Sequence, residues 1–153
     1  MKIAIAGNQA GKQAAQTAKA ILVESGHGII DMCTDKPDDD YPDMAYTAAL
    51  AIKEQKADRA ILICGSGICM CISANKIPGI MAAPCYEPIE AHLARSRLNT
   101  NVLCLSGKWF VHGIADKIIR EWLNTPFTAT KRQQRILKKI QAIEQGCDPR
   151  QVG

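Results

Sequence analysis

Arg59-Ala60-Ile61-Leu62-Ile63-Cys64-Gly65-Ser66-Gly67-Ile68 joins an apolar run, a thiol and a glycine-flanked hydroxyl within ten positions. The run from Ala60 to Ile63 is continuously apolar. An alternating pattern would suit a strand with one wet face, whereas a continuous run suits a strand covered on both faces, as in a parallel sheet. Two glycines and a hydroxyl then form a loop, and a helical pattern over Gly67 to Lys76 follows. The same strand–loop–helix alternation recurs along the chain. Apolar runs occupy Lys2 to Gly7, Gly28 to Met32, Ile80 to Ala83 and Val102 to Leu105. Helical patterns occupy Gly11 to Ser25, Tyr41 to Gln55, Glu87 to Arg97 and Val111 to Asn124. Ser25-Gly26-His27-Gly28 and Pro78-Gly79 punctuate them. Five such units predict a three-layer α/β domain with a five-stranded parallel sheet. Right-handed crossovers place the loops after the strands along one edge, where ligands bind in such sheets. The segments to search are therefore 7–11, 33–42, 64–69, 84–88 and 106–110.

A chain of 153 residues suits one domain with one sizeable core. Hydrophobic residues make up 47% and charged residues 22%, the balance of an ordinary globular protein. The net charge of +4 favours an anionic ligand. With aromatics at 5% and no basic stripe, the composition excludes nucleic-acid binding. No apolar run approaches a membrane span, and the first residues are too short for a signal peptide. Seven cysteines, an odd number, several of them in apolar segments, fit a reducing cytoplasmic setting better than a disulfide framework. Asn124-Thr125-Pro126 ends the fifth helix. A basic helix over about 128–145 follows, with Ile136, Leu137, Ile140 and Ile143 as its apolar positions, suited to packing on a neighbouring subunit. The expected domain is 1–146, with 147–153 as a flexible tail.

The Cys64 loop carries the chemistry. A thiol at a strand's carboxyl end precedes glycines that let the backbone turn and approach a ligand. The amides that follow point toward that ligand and suit an oxyanion, an enediolate or a phosphate. The same field favours a usable thiolate. A buried cysteine before an ordinary turn fits the spacing equally well. Cys64, Cys69 and Cys71 lack a matching Cys/His pair at zinc spacing, which argues against a metal. Cys33, Cys85, Cys104 and Cys147 read as structural or incidental.

Across nearly its whole length the chain resembles the ribose-5-phosphate isomerase B and galactose-6-phosphate isomerase family. The resemblance rests on Lys2 to Gly7 with Gly11, Asp40-Tyr41-Pro42, Ile63 to Gly67, Ala74 to Gly79, Glu87-Pro88, Asn99 to Leu103, and Gln133-Gln134-Arg135. It implies a Rossmann-like parallel sheet and an active site shared between two subunits of a homodimer, often paired into a homotetramer. It further implies aldose–ketose isomerisation of a sugar phosphate through a cis-enediolate, without cofactor or metal. Cys64 takes the place of the family's base, and Ser66 with nearby amides that of the enediolate stabiliser. Substrate-binding positions implied are Asn8, Gln9, Tyr41, Gly65, Gly67, Arg97 and Asn99. Phosphate-binding positions are Lys108, Lys131 and Arg135. The family has arginines at these positions and two of the three are lysine here, so the charge stays but the bidentate fork does not.

Three departures bear on substrate. The family's Asp-His pair after the first strand is Asn8-Gln9 here, which hydrogen-bonds without titrating. Its ring-opening histidine falls at Arg97, and the Asn after it at Leu98; arginine is a poor acid or base. The second loop glycine is Cys69, and Met70 fills the place of an alternative glutamate base. A substrate that needs no ring opening fits these changes. A tetrose phosphate or a branched open-chain ketose phosphate qualifies, because phosphate on the terminal oxygen of a tetrose removes the hydroxyl that would close a furanose. Ribose 5-phosphate itself remains open as the substrate. So do a non-turnover partner of a related second chain and a regulatory phosphosugar-binding protein. His27, His92 and His112 match no family catalytic histidine and read as structural or surface residues, His112 being the nearest to Lys108.

Overall fold

The computed structural model describes residues 1–34, 40–108 and 113–152. Five parallel strands are β1 (Lys2–Gly7), β2 (Gly28–Asp31), β3 (Arg59–Cys64), β4 (Ala82–Pro84) and β5 (Val102–Ser106). They lie in the order β2-β1-β3-β5-β4, so β3 is central and its apolar run is covered on both faces. The helices are α1 (Lys12–Glu24), α2 (Tyr41–Lys53), α3 (Ile68–Ala74), α4 (Pro88–Leu98), α5 (Ile114–Asn124) and α6 (Lys131–Glu144).

The period-two geometry of a strand divides the core into two layers. Ile3, Ile5, Ile61, Ile63, Leu103 and Leu105 point to one face, against α1, α4 and α5. Ala4, Ala6, Leu62, Cys64, Val102 and Cys104 point to the other, against α2 and α3. The second face uses small residues, and α2 meets it with Ala45, Ala48 and Ala49, so that layer is thin and close-packed. In the first layer Trp122 is fully buried. Its Nε1 donates to Thr100 Oγ1 at 2.9 Å, and the guanidiniums of Arg59 and Arg95 lie 5.2 Å and 5.8 Å from its ring centre.

Element ends differ from the sequence pattern where side chains compete for backbone groups. The pattern places the fourth strand at Ile80 to Ala83, but β4 starts at Ala82. Asn101 Oδ1 accepts from Met81 N at 2.8 Å, and Asn75 bonds both Ala82 N and Ala82 O, so side chains replace the ladder there. The third helix is shorter at both ends than Gly67 to Lys76. The fifth helix starts at Ile114, and the Val111 suggested as its start lies outside the described residues, as does His112. The C-terminal helix begins at Lys131, where Thr130 caps it by accepting from Gln133 N at 3.3 Å. α6 lies along α4 of its own chain. It buries only Ala142, and Ile143 is 60% exposed. Beyond it, Cys147 N donates to Ala142 O at 2.8 Å. A short turn at Pro149–Gln151 follows, capped by Asp148, which also pairs with Arg150 at 2.8 Å.

Candidate active site

Backbone packing brings the loops after β1, β3 and β5 together at the carboxyl edge. A Cβ on Gly7 would sit 2.9 Å from Ile63 O, and one on Gly11 2.7 Å from Ile63 Cγ2. A Cβ on Gly107 would stand 2.4 Å from Ala10 O and 2.7 Å from Gly11 Cα. These distances are below any that real Cβ atoms show, so only glycine lets the three segments meet. Hydrogen bonds complete the joint. Gly107 N donates to Cys64 O at 2.7 Å, Lys108 N to Gly65 O at 3.1 Å, and Ser106 Oγ to Gly65 O at 2.8 Å.

Within the β3 loop, Gly67 adopts φ +79° with its Cα against the backbone of Leu105 and Ser106. A side chain there would meet both the steric wall and the left-handed conformation. Ser66 Oγ accepts from Ile68 N at 3.2 Å, which leaves its own O–H free to donate. The Lys108 stem lies across Gly65, its Cε 3.5 Å from where a Cβ would be. Asn8 Oδ1 accepts from Ala10 N at 3.2 Å, holding the short turn after β1, and Gln9 next to it is exposed. Tyr41, at the start of α2, packs on the core layer that contains Cys64.

Cys64 itself is 1% exposed. Its side chain points to the α2/α3 layer and belongs to a cluster with Met70, Cys71 and Cys104. Cys71 and Cys104 share a hydrogen bond that holds the Cys71 thiol below its ordinary value and, together with burial, pushes that of Cys104 up. Among the described residues no group of three or more His, Cys, Asp or Glu side chains could hold a metal ion.

Tyr86 is a residue the sequence reasoning passed over. Its Oη donates to Ser66 O at 3.2 Å, and burial pushes its phenol up. It lies in the 84–88 segment, so the sheet-edge rule pointed to its loop but not to its side chain. Beside β1 and β2, Asn8, Lys12, Lys19, Asp31, Cys33 and Thr34 line a cavity of about 230 Å³. Lys19 and Asp31 pair there at 2.6 Å.

The other anticipated residues sit elsewhere. α4 runs from the carboxyl edge back to the amino edge, so Arg97 and Asn99 at its end lie near the start of β5. Asn99 ends the helix in the left-handed conformation, at φ +51°. α6 carries Lys131 and Arg135 alongside α4. The length of β5, roughly 13 Å at about 3.3 Å per residue, separates Asn99 from the Lys108 loop. The chain thus groups Asn8, Gln9, Tyr41, Cys64, Gly65, Ser66, Gly67 and Lys108 at one edge, with Arg97 and Asn99 at the far end of α4 and Lys131 and Arg135 on α6 beside that helix.

A family model described as Ribose/Galactose Isomerase matches residues 3–140. The chain belongs to that family. Two relatives of the ribose/galactose isomerases show its breadth. The D-erythrulose-4-phosphate isomerase of Pectobacterium atrosepticum is 39% identical over 83% of this chain and 85% of its own length. The ribose-5-phosphate isomerase B of Escherichia coli is 40% identical over 82% and 85%. The solved structure of Clostridium thermocellum ribose-5-phosphate isomerase B superposes with a TM-score of 0.91 at 33% identity, covering 95% of this chain and 99% of that one. This ribose/galactose isomerase is therefore a sugar-phosphate isomerase on the five-stranded parallel sheet that the sequence pattern predicts. No helix among its described residues is long and apolar enough to cross a membrane.

Proposed function

We propose that the chain interconverts the aldose and ketose forms of a short, open-chain sugar phosphate, a tetrose 4-phosphate or a branched ketose phosphate, with Cys64 as the base. The Cys64 thiolate takes the proton from the carbon next to the carbonyl, and the electron pair moves onto the carbonyl oxygen. The resulting cis-enediolate accepts hydrogen bonds from the Ser66 hydroxyl and from loop amides at Gly65 and Gly67. Reprotonation at the neighbouring carbon, with proton exchange between the two oxygens, gives the isomer and returns the thiolate. Asn8, Gln9 and Tyr41 offer groups for the sugar hydroxyls, and Lys108 supplies positive charge at the same edge.

The observation that carries this reading is the backbone-tight meeting of three loops around Cys64 to Gly67 in a ribose/galactose isomerase. In their own chain Arg97 and Asn99 lie at the far end of α4, and Lys131 and Arg135 on α6 beside it. A homodimer, or a homotetramer built from dimers, brings them to the loops of a second copy, and the phosphate sits between the two. A guanidinium in place of the family's ring-opening histidine is a poor acid or base, which fits a substrate that never closes a ring.

The test is a coupled assay across four-, five- and six-carbon sugar phosphates, with solvent deuterium incorporation as a second readout and Cys64→Ala alongside. Expected are a preference for the tetrose, deuterium in the product, and a loss in Cys64→Ala at or beyond the ~10²–10⁴-fold typical of acid–base groups. Preference for ribose 5-phosphate removes the short-substrate reading. An active Cys64→Ala removes the thiol base.

The 1% exposure of Cys64 favours a second reading, a partner subunit without turnover of its own that binds sugar phosphate beside a related chain. Turnover by the purified chain alone excludes it.

A further inference from the structure

Between α4 and α6 lies a cleft of about 500 Å³, with Leu93, Leu98 and Ile136 among its apolar walls. Two guanidiniums line it, Arg97 from the last turn of α4 and Arg132 from the first turn of α6. Among the described residues neither forms an ion pair or a side-chain hydrogen bond. The contrast with other exposed arginines is direct: Arg120 pairs with Glu24 at 2.6 Å and Arg150 with Asp148 at 2.8 Å. The carboxylate that lines the cleft, Glu90, is already engaged, accepting from Tyr86 N at 2.6 Å and Glu87 N at 3.1 Å.

The neighbourhood adds to the positive field. The first turn of α6 contains no acidic residue. Lys131, Arg135 and Lys138 line a separate depression of about 320 Å³, and Arg132 borders both spaces. Cations at a helix N-terminus oppose the helix dipole, and like charges in adjacent turns repel. An arrangement that costs stability in the empty chain is expected where a bound anion relieves it.

We infer that Arg97 and Arg132 form a two-guanidinium clamp for the phosphate group of the substrate, with Arg132 as a binding residue additional to Lys108, Lys131 and Arg135. The inference rests on the sugar-phosphate isomerase reading for the identity of the anion. The chemistry is that of a phosphate monoester. Each planar fork can donate two parallel N–H bonds to phosphate oxygens, which a lysine cannot do. Gln133 lines the same cleft and offers a neutral donor.

The test uses the full chain in its native oligomer, with inorganic phosphate as the calorimetric probe and a tetrose 4-phosphate as substrate. Circular dichroism first establishes that Arg97→Gln and Arg132→Gln are folded. Each variant is expected to weaken phosphate binding by roughly 10- to 100-fold, the range for losing a charge-assisted hydrogen bond. The double variant should be little worse than either alone, because one clamp is lost once. KM should rise with kcat nearly unchanged, and Arg132→Lys should recover part of the loss. Unchanged phosphate binding in both single variants, or no phosphate binding by the wild-type chain, overturns the clamp. Normal turnover with unchanged KM in both variants sinks the clamp and leaves the isomerase intact. Phosphate binding that depends on both arginines, without turnover on any sugar phosphate, sinks the isomerase reading and leaves the clamp standing.

Discussion

Replacing Gly107 by alanine tests the packing of the carboxyl edge with a single methyl group. The new Cβ would lie 2.4 Å from Ala10 O, 2.7 Å from Gly11 Cα and 3.1 Å from Ala10 C. All three atoms are backbone, so no side chain can swing aside, and one loop must move as a unit. Ordinary carbon contacts need about 3.5 Å or more, which implies a displacement of roughly 1 Å. Overpacking of this kind costs about 1–3 kcal/mol, and the backbone neighbours place it near ~3 kcal/mol. For a chain of this size ~1 kcal/mol shifts Tm by about 2–4 °C, so Gly107→Ala should melt roughly 6–12 °C below wild type. Gly107 N also donates to Cys64 O at 2.7 Å, so kcat/KM should fall with the melting temperature. Gly26→Ala supplies the control. Gly26 has φ +71° and open space around it, so its alanine carries only the left-handed penalty of ~1–2 kcal/mol and leaves the active edge untouched. Differential scanning calorimetry and steady-state kinetics on both variants decide the matter. A Gly107→Ala protein that melts with wild type and turns over normally would refute the argument that bare backbone contacts hold the site.

Other expectations concern the rest of the molecule. Trp122→Phe strands the buried Thr100 hydroxyl, which accepts from Trp122 Nε1 at 2.9 Å, and puts a smaller ring beside the guanidiniums of Arg59 and Arg95. Urea denaturation should show a loss of about 2–4 kcal/mol. Native iodoacetamide labelling followed by mass spectrometry should modify exposed Cys69 and Cys147 first and leave Cys64, Cys71, Cys85 and Cys104 protected. Cys33, whose thiol burial pushes up to about 11, should lag at pH 8. Hydrogen bonds from His92 and Thr125 hold the Glu121 carboxyl below its ordinary 4.5. Its contribution to stability is therefore present above the unfolded value and disappears as pH falls through the folded one. The Tm drop between pH 6 and pH 3 should be smaller in Glu121→Gln, and only modestly so, because this pair is exposed to solvent.

The five strands were legible in sequence because each is a short apolar run bounded by polar or glycine-containing turns, and burial on both faces demands that composition. Strand ends were less legible. The start of β4 depends on Asn75 and Asn101 side chains reaching backbone groups from other elements, which no local pattern records. The Cys64 loop could be placed from its glycines, and the necessity of Gly67 follows from the positions of Leu105 and Ser106. A buried thiol and a ligand-facing one fitted the spacing equally well, and the sequence could not decide between them, because the alternation that turns Cys64 toward Met70 and Cys104 depends on strand register. Tyr86 and Arg132 lay outside the sequence-derived site for a related reason. Each becomes visible through a neighbour distant in the chain, Ser66 for the first and Arg97 for the second.

The joint among Gly7, Gly11 and Gly107 leaves the carboxyl edge of the sheet almost no freedom to drift, since an added methyl collides with main chain or with the Ile63 side chain. The cationic surface on α4 and α6 carries no such constraint, because its side chains project from exposed turns. Inheritance can therefore conserve one half of this protein while retailoring the other. Under the function proposed above, a lineage built on this scaffold could change which molecule it admits by altering a few outward residues, without disturbing the glycine joint.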